Sequence, residues 1–284
     1  MVKKISKLCF SFLMISVFMF SSIDCQASSV FQDVYGDCSD EQEVEPVTFD
    51  DVNVDSPELD VPDYLGAVYD EYKDDQQFQM MLDDYGEEYA IDFLKDVNSN
   101  NAPRLRGGGG NTCYQYVTCV KQSEHYNCGS ASVLQSLYGM GAASNVRGAT
   151  NNDKMKTLDS EYNVTSQGMI VYQVRDALNK YKPKGIGNYV YARGNSVSEG
   201  QFEDRIANSL MSCRPVVLHA MTGTLTYYGG KNLRHYLSLD YVNRSTKTVR
   251  IVDCNYNSKY LGAHNVPLSE AYSTINIVDR YFIY

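Results

Sequence analysis

Gln122-Ser123-Glu124-His125-Tyr126-Asn127-Cys128-Gly129-Ser130-Ala131-Ser132, running on into Val133, Leu134, Leu137 and Tyr138, is the stretch on which the reading of this chain turns. After Gly129 the apolar positions fall at helical spacing, and the pattern stops near Gly139 and Gly141. Cys128 then sits at the N-terminus of a helix. Unpaired backbone N–H groups and the helix dipole stabilise a thiolate there and lower its pKa, as a nucleophile requires. Gln122 lies six residues upstream across a loop. Its side-chain amide can join the Cys128 N–H in holding a developing oxyanion. The bland alternative is a buried helix cysteine, the commoner fate of any one cysteine.

A thiolate needs a base, and the four histidines after residue 106 are His125, His219, His235 and His264. His235 opens His235-Tyr236-Leu237-Ser238-Leu239-Asp240-Tyr241-Val242, which alternates as a strand with His235 on the Leu237 and Leu239 face. A turn follows at Asn243 to Lys247. Thr248-Val249-Arg250-Ile251-Val252-Asp253 is the next strand, with Asp253 on the Val249 and Ile251 face. If the two form a hairpin that pairs Val242 with Thr248, His235 and Asp253 lie opposite or one diagonal step apart. A carboxylate so placed orients and charge-stabilises an imidazole. His125 is a loop neighbour with poor geometry for the Cys128 sulfur, His219 lies in the apolar run 215–220 as a core or cleft residue, and His264 is expected at the surface. A metal reading would gather Cys213, His219, His235 and Cys254, but no Cys-x2-Cys or His-x3-His spacing supports it. Neither a metal nor a cofactor is expected.

Gln-x5-Cys-Gly-x-Ala-Ser at a helix start, His-Tyr opening a strand and Val-Asp closing the next together resemble the papain-like cysteine peptidase superfamily. More narrowly they resemble the bacteriocin-processing (double-glycine) peptidases and their secreted relatives, over roughly residues 112–284. The resemblance implies Cys128 as nucleophile, His235 as general base and acid, Asp253 as its orienter and Gln122 as oxyanion donor. It departs at Ser130 and Cys254, where the family commonly has Pro. The second departure puts another thiol near the site. The stretches Tyr260-Leu261-Gly262 and Val266-Pro267-Leu268 also look family-like.

Charge divides the rest of the 284-residue chain. Residues 28–106 hold 4 Lys and Arg against 22 Asp and Glu, whereas residues 107–284 hold 18 against 12. A nucleic-acid binder is excluded, since the only basic region is mild and is matched by an acidic one. At the start, Lys3, Lys4 and Lys7 precede a twelve-residue apolar run, Cys9 to Phe20, too short to span a bilayer and suited to an export signal ending near Ala27. Residues 1–27 are therefore expected to be a signal peptide, and the mature chain to be secreted with no stable membrane insertion. Residues 28–60 read as loosely ordered. From Asp63 a helical stripe of Leu65, Val68, Tyr69 and Tyr72, then Phe78, Met81, Leu82, Tyr85 and Tyr89, needs a surface to cover it. Residues 28–106 are thus expected to be an acidic propeptide that docks on and inhibits the basic domain.

Leu105-Arg106-Gly107-Gly108-Gly109-Gly110 forms, with residues 107–111, a flexible linker open to proteases. Double-glycine peptidases cut after such a pair, so self-cleavage is one route to release; a trypsin-like cut after Arg104 or Arg106 is another. Five cysteines remain beyond the linker, either all reduced or a reactive thiol with up to two bridges, Cys113–Cys119 being one pairing. Helices centred on 171–178 and 202–210 and strands at 215–220, 235–242, 248–253 and 275–283 give an α+β class. The expected architecture is papain-like, a helical half against an antiparallel sheet with the active site in the cleft between them. The expected function is a secreted cysteine peptidase acting on a peptide or protein substrate. The alternatives are an acyl transferase or amidase with the same triad, or an inactive peptide-binding module.

Overall fold

A computed structural model describes residues 59–101 and 111–284. The expected signal peptide, the acidic stretch up to Glu58 and Gly107–Gly110 lie outside these residues. Three helices come first, α1 (Gly66–Tyr72), α2 (Gln76–Tyr85) and α3 (Glu87–Asn101). They are followed by β1 (Thr112–Tyr114), α4 (Cys128–Gly139), α5 (Asn151–Glu161), α6 (Val171–Tyr181), β2 (Tyr191–Arg193), α7 (Glu199–Met211) and β3 (Val216–Met221). The chain closes with β4 (Arg234–Asn243), β5 (Thr248–Asp253), β6 (Gly262–Pro267), α8 (Leu268–Ile275) and β7 (Tyr281–Ile283). The class is α+β. The strands form an antiparallel sheet in the order β2-β7-β3-β4-β5-β6. Because β3 covers only Arg234 to Leu239, β1 continues the same edge of β4 along Tyr241 to Asn243. Among the described residues no helix is long and apolar enough to cross a membrane.

The helix α4 is central. Residues 129–137 are all buried, so the helix is enclosed on every side rather than along one stripe. It packs on the sheet, where the Ser238 hydroxyl meets the Gln135 amide at 2.7 Å, and on the other side against α5 and α6. The helical half and the sheet thus meet along α4.

The expected hairpin forms with a register one residue off at its turn: Asn243 pairs with Thr248 and Val242 with Val249. A bulge between Leu239 and Tyr241 corrects the slip, so that Asp253 faces Leu237 and stands one diagonal step from His235. Asp240, the extra residue, is held there by Arg250, whose Nε donates to Oδ1 at 2.8 Å, and by the Val117 N–H at 2.9 Å.

The expected strand at 275–283 is corrected. Leu268, Ala271, Thr274 and Ile275 bury one face of a helix that ends at Ile275, and only Tyr281–Ile283 pair in the sheet. Pro267, lacking an N–H, stands just ahead of that helix. The Cys113–Cys119 bridge is absent as well: all five described cysteines are free thiols. Cys113 is buried in the sheet, while the Cys119 sulfur turns to the Asp253 carbonyl.

The acidic helices dock as their stripe requires. Leu65, Tyr72, Phe78, Met81, Phe93 and Leu94 are buried in a core continuous with that of the downstream domain. Charge reinforces the packing. Asp75 caps α2 by accepting from the Phe78 N–H at 2.9 Å, and its other oxygen accepts from Arg193 at 2.7 Å. On α6, Arg175 donates to the Tyr89 hydroxyl at 3.0 Å with its guanidinium over the Phe93 ring. Tyr85 and Tyr89, the end of the expected stripe, are instead exposed. Phe78 lies among the rings of Tyr69, Tyr72 and Phe93. Phe78→Ala should therefore cost about 3–5 kcal/mol in urea unfolding of the whole chain; a loss under about 1 kcal/mol would mean this segment is not part of the folded core.

Candidate active site

Asn127 stands at the N-cap of α4 but does not cap it with its side chain. Its amide instead locks the preceding turn, accepting from the Glu124 N–H and donating to the Ser123 hydroxyl, both at 3.0 Å. The first N–H groups of α4 are thereby left without a side-chain cap beside the Cys128 sulfur. The loop before α6 comes close on one side. A Cβ on Gly129 would stand 2.9 Å from that of Met169, and Gly168, at φ +80°, leaves no room for a Cβ against the Tyr126 carbonyl. Ser130 uses its hydroxyl to donate to Asp159 of α5.

Three expected residues meet here. His235 Nε2 and Asp253 Oδ1 are 2.9 Å apart, which leaves Nδ1 as the ring nitrogen for the Cys128 thiol, a hydrogen-bond partner of His235. Cys128 is half-buried, His235 and Asp253 buried. Burial by itself pushes the Cys128 thiol up. The His235 hydrogen bond and charge, the Tyr236 N–H and the Arg234 charge outweigh it, and the thiol lies below its ordinary value. Burial likewise disfavours charge on His235, but Tyr228, Asp253 and Cys254 raise the imidazole well above its ordinary value. Shifts in these opposite directions favour the thiolate–imidazolium form of the pair over the neutral one.

Gln122 lies beside them with its amide partly committed. Its Nε2 donates to the Glu124 carbonyl at 2.8 Å, which leaves the second amide hydrogen for an oxyanion. Its backbone N–H donates to the Cys254 carbonyl at 2.7 Å, tying this loop to the end of β5.

Several supporting groups carry no local sequence signal. Asp253 Oδ2 accepts from the hydroxyls of Tyr228 at 2.8 Å and Tyr227 at 3.2 Å, and Oδ1 accepts from the Asn255 N–H at 2.8 Å. His264, expected at the surface, is half-buried and lies flat on the Tyr227 ring, 3.8 Å between centroids. The nearest hint in the sequence is the pair Tyr227-Tyr228 before Gly229-Gly230, and nothing in that pair points to a carboxylate 25 residues on. His125 is exposed, and His219 stacks on Tyr236 within the sheet.

Cys254 stands under the site, its sulfur 3.6 Å from the Cys128 carbonyl and 3.9 Å from His235 Nε2. Burial raises this thiol above its ordinary value, and the thiol of the exposed Cys119 is shifted up rather than down as well. Cys128 is therefore distinguished from both by the direction of its shift. His235, Asp253 and Cys254 have ligand atoms within 4.8 Å of one another. The imidazole and the carboxylate are bonded to each other, however, and Asp253 already receives three further donors, so the set is built for proton control rather than for holding an ion.

No family model matches the chain, and no curated protein matches it. Among solved structures it is similar to a double glycine motif protease from an AMS/PCAT transporter in complex with the leader peptide, with 14% identity and a TM-score of 0.38 over 60% of this chain and 91% of that one.

Proposed function

We propose that this chain is a cysteine peptidase of papain-like design, made as a precursor and exported. The observation that carries the reading is the line from the Cys128 thiol at the start of α4 through His235 to Asp253, with the thiol shifted down and the imidazole up. In the reaction, the Cys128 thiolate attacks the carbonyl carbon of a peptide bond. The Cys128 N–H and the Gln122 amide hold the oxyanion. The His235 imidazolium gives its proton to the leaving amine, and an acyl-thioester remains on Cys128. Neutral His235 then takes a proton from water, whose oxygen attacks the thioester. The acid product leaves, and the ion pair is restored.

Residues 28–106 are proposed as the inhibitory propeptide, anchored through residues 59–101. Burial of Tyr72, Phe78 and Phe93 gives that anchor enough contact to stay bound after the chain is cut. The cut is proposed at Gly107–Gly110, by the enzyme itself. Intact-mass analysis of residues 28–284 over time, beside Cys128→Ala, tests both steps. Shortening of the wild type alone, to a start between Leu105 and Asn111, is expected. If neither protein shortens, self-processing is wrong; if both shorten alike, another protease makes the cut.

A further inference from the structure

The chain on either side of residues 102–110 is held at the end of the sheet away from Cys128. Downstream, the Asn111 carbonyl accepts from the Arg244 N–H at 2.7 Å and Thr112 pairs with Asn243, at the turn end of the β4–β5 hairpin. His235 is the second residue of β4 and Asn243 its last. At about 3.3 Å per residue the two are roughly 25 Å apart. The helix α4 runs the same way. Cys128 at its start meets Tyr236 beside His235, whereas the Gly139 carbonyl at its end accepts from the Gln115 amide. The chain itself spends the stretch from β1 to Gln122 in crossing this distance. The Gln115 N–H reaches the Asp240 carbonyl at 2.8 Å, the Cys119 sulfur the Asp253 carbonyl at 3.6 Å, and only the Gln122 N–H arrives at Cys254 under the site.

The upstream anchor agrees. Strand β2 starts at Tyr191, level through β7 and β3 with Ser238, and finishes at Arg193, level with Tyr236. Residues before Tyr191 therefore lead away from His235, and α3 is tied to them. The Asn188 carbonyl accepts from the Asn100 amide at 3.2 Å, and the Asn188 amide donates to Asp96 at 3.0 Å. Covalent reach then decides. Gly107 is the fourth residue before Asn111, and four fully extended residues span at most about 14 Å. Every glycine carbonyl of the linker falls roughly 10 Å short of the Cys128 sulfur in its own molecule.

Resting on the peptidase reading, we infer that the cut at Gly107–Gly110 is made between molecules, the linker of one chain being a substrate for Cys128 of a second copy. The thiolate of one copy takes a glycine carbonyl carbon of the other. The C–N bond breaks, and His235 protonates the amine that becomes the new N-terminus of the chain being cut. Water then releases the acyl half from Cys128, so each cut consumes one water and returns the enzyme unchanged. Cutting within one molecule needs β1 to leave β4 and to carry the buried Cys113 out of the sheet. Release of the peptidase therefore follows the concentration of the chain.

The test is an intact-mass time course of residues 28–284 at several concentrations, alone and mixed with isotope-labelled Cys128→Ala. A tenfold dilution should slow the fractional cutting by about tenfold. The wild type should also shorten the labelled Cys128→Ala chain, which by itself stays whole. A wild type that shortens at a rate indifferent to dilution, and leaves the labelled chain whole, overturns cutting between molecules and leaves the peptidase reading standing. No shortening at any concentration overturns self-processing, and the inference falls with it. A labelled chain that shortens with no wild type present assigns the cut to a foreign protease and overturns the inference as well. The dilution series on the wild type decides the matter even where Cys128→Ala fails to fold.

Discussion

Asp253→Ala should remove both activity and a large part of the stability of the domain. The carboxylate is buried and accepts from His235 Nε2, the hydroxyls of Tyr227 and Tyr228 and the Asn255 N–H. Truncation orphans all four donors and leaves an imidazolium without its counter-charge. Breaking a buried charged pair from one side costs roughly 3–5 kcal/mol, read as a fall in the urea midpoint. Asp253→Asn separates the two effects because it keeps the volume. With its amide NH2 turned to His235 it holds the ring in the wrong tautomer, and turned to the Tyr227 and Tyr228 hydroxyls, which can accept, it keeps the tautomer but removes the counter-charge of the imidazolium. A loss in kcat of about 10^4 is the scale for a triad of this kind. An Asp253→Asn variant with near wild-type turnover would show that Asp253 is a structural carboxylate and that His235 is positioned by something else.

His235→Ala should be nearly as damaging to turnover and should change the shape of the pH profile. The thiol is shifted down and the imidazole up, so the thiolate–imidazolium form occupies the interval between the two. Hydrolysis needs the thiolate to attack and the imidazolium to protonate the amine. The rate should therefore rise through the lowered Cys128 pKa on the acid side and fall through the raised His235 pKa on the alkaline side, a bell wider than unshifted groups would allow. Removing the imidazole deletes the alkaline limb together with the catalyst, moves the acid limb up toward the ordinary thiol value, and costs about 10^4 in kcat. Retention of a low acid limb in His235→Ala would assign the lowering of the thiol to the helix terminus rather than to the ring.

The parts of the fold that were legible are those with long, strong periodicity. Val133, Leu134 and Leu137 mark α4, the alternation from His235 marks β4, and Val171, Val174 and Leu178 mark α6. Where the pattern was short or mixed it misled. Asn151–Glu161 buries only Met155 and Leu158 and so carries almost no stripe. The three-residue strands β1 and β2 exist because β4 and β7 had free edges to pair, a tertiary cause with no local trace. Ile275, Ile277 and Val278 made 275–283 read as one strand, whereas Ile275 closes a helix set by the face it buries and only Tyr281–Ile283 pair in the sheet. The hairpin register was one residue out because a bulge at Asp240 depends on Arg250 and on the backbone of Val117 across the sheet.

The candidate site divides in the same way. Cys128, His235 and Asp253 each stand at the end of a regular element, so periodicity placed them together. Tyr227, Tyr228, Asn255 and His264 stand in short 3-10 turns, loops and an edge strand, and they join the site only because the chain returns there. His264, read as a surface histidine, is where this matters most. Through its stack on Tyr227 it supports a hydroxyl on Asp253, so it bears on the triad from two contacts away.

The measurement that tests the central claim most directly is the rate of Cys128 alkylation by iodoacetamide between pH 4 and pH 10, read by peptide mass mapping in wild type and His235→Ala. The expected result is a wild-type Cys128 that reacts quickly at mildly acidic pH, while Cys254 and Cys119 stay unmodified and His235→Ala reacts only as the pH nears the ordinary thiol range. A Cys128 that titrates like a free thiol in both proteins, or that reacts no faster than Cys254, would contradict a stored thiolate–imidazolium pair and with it the peptidase reading.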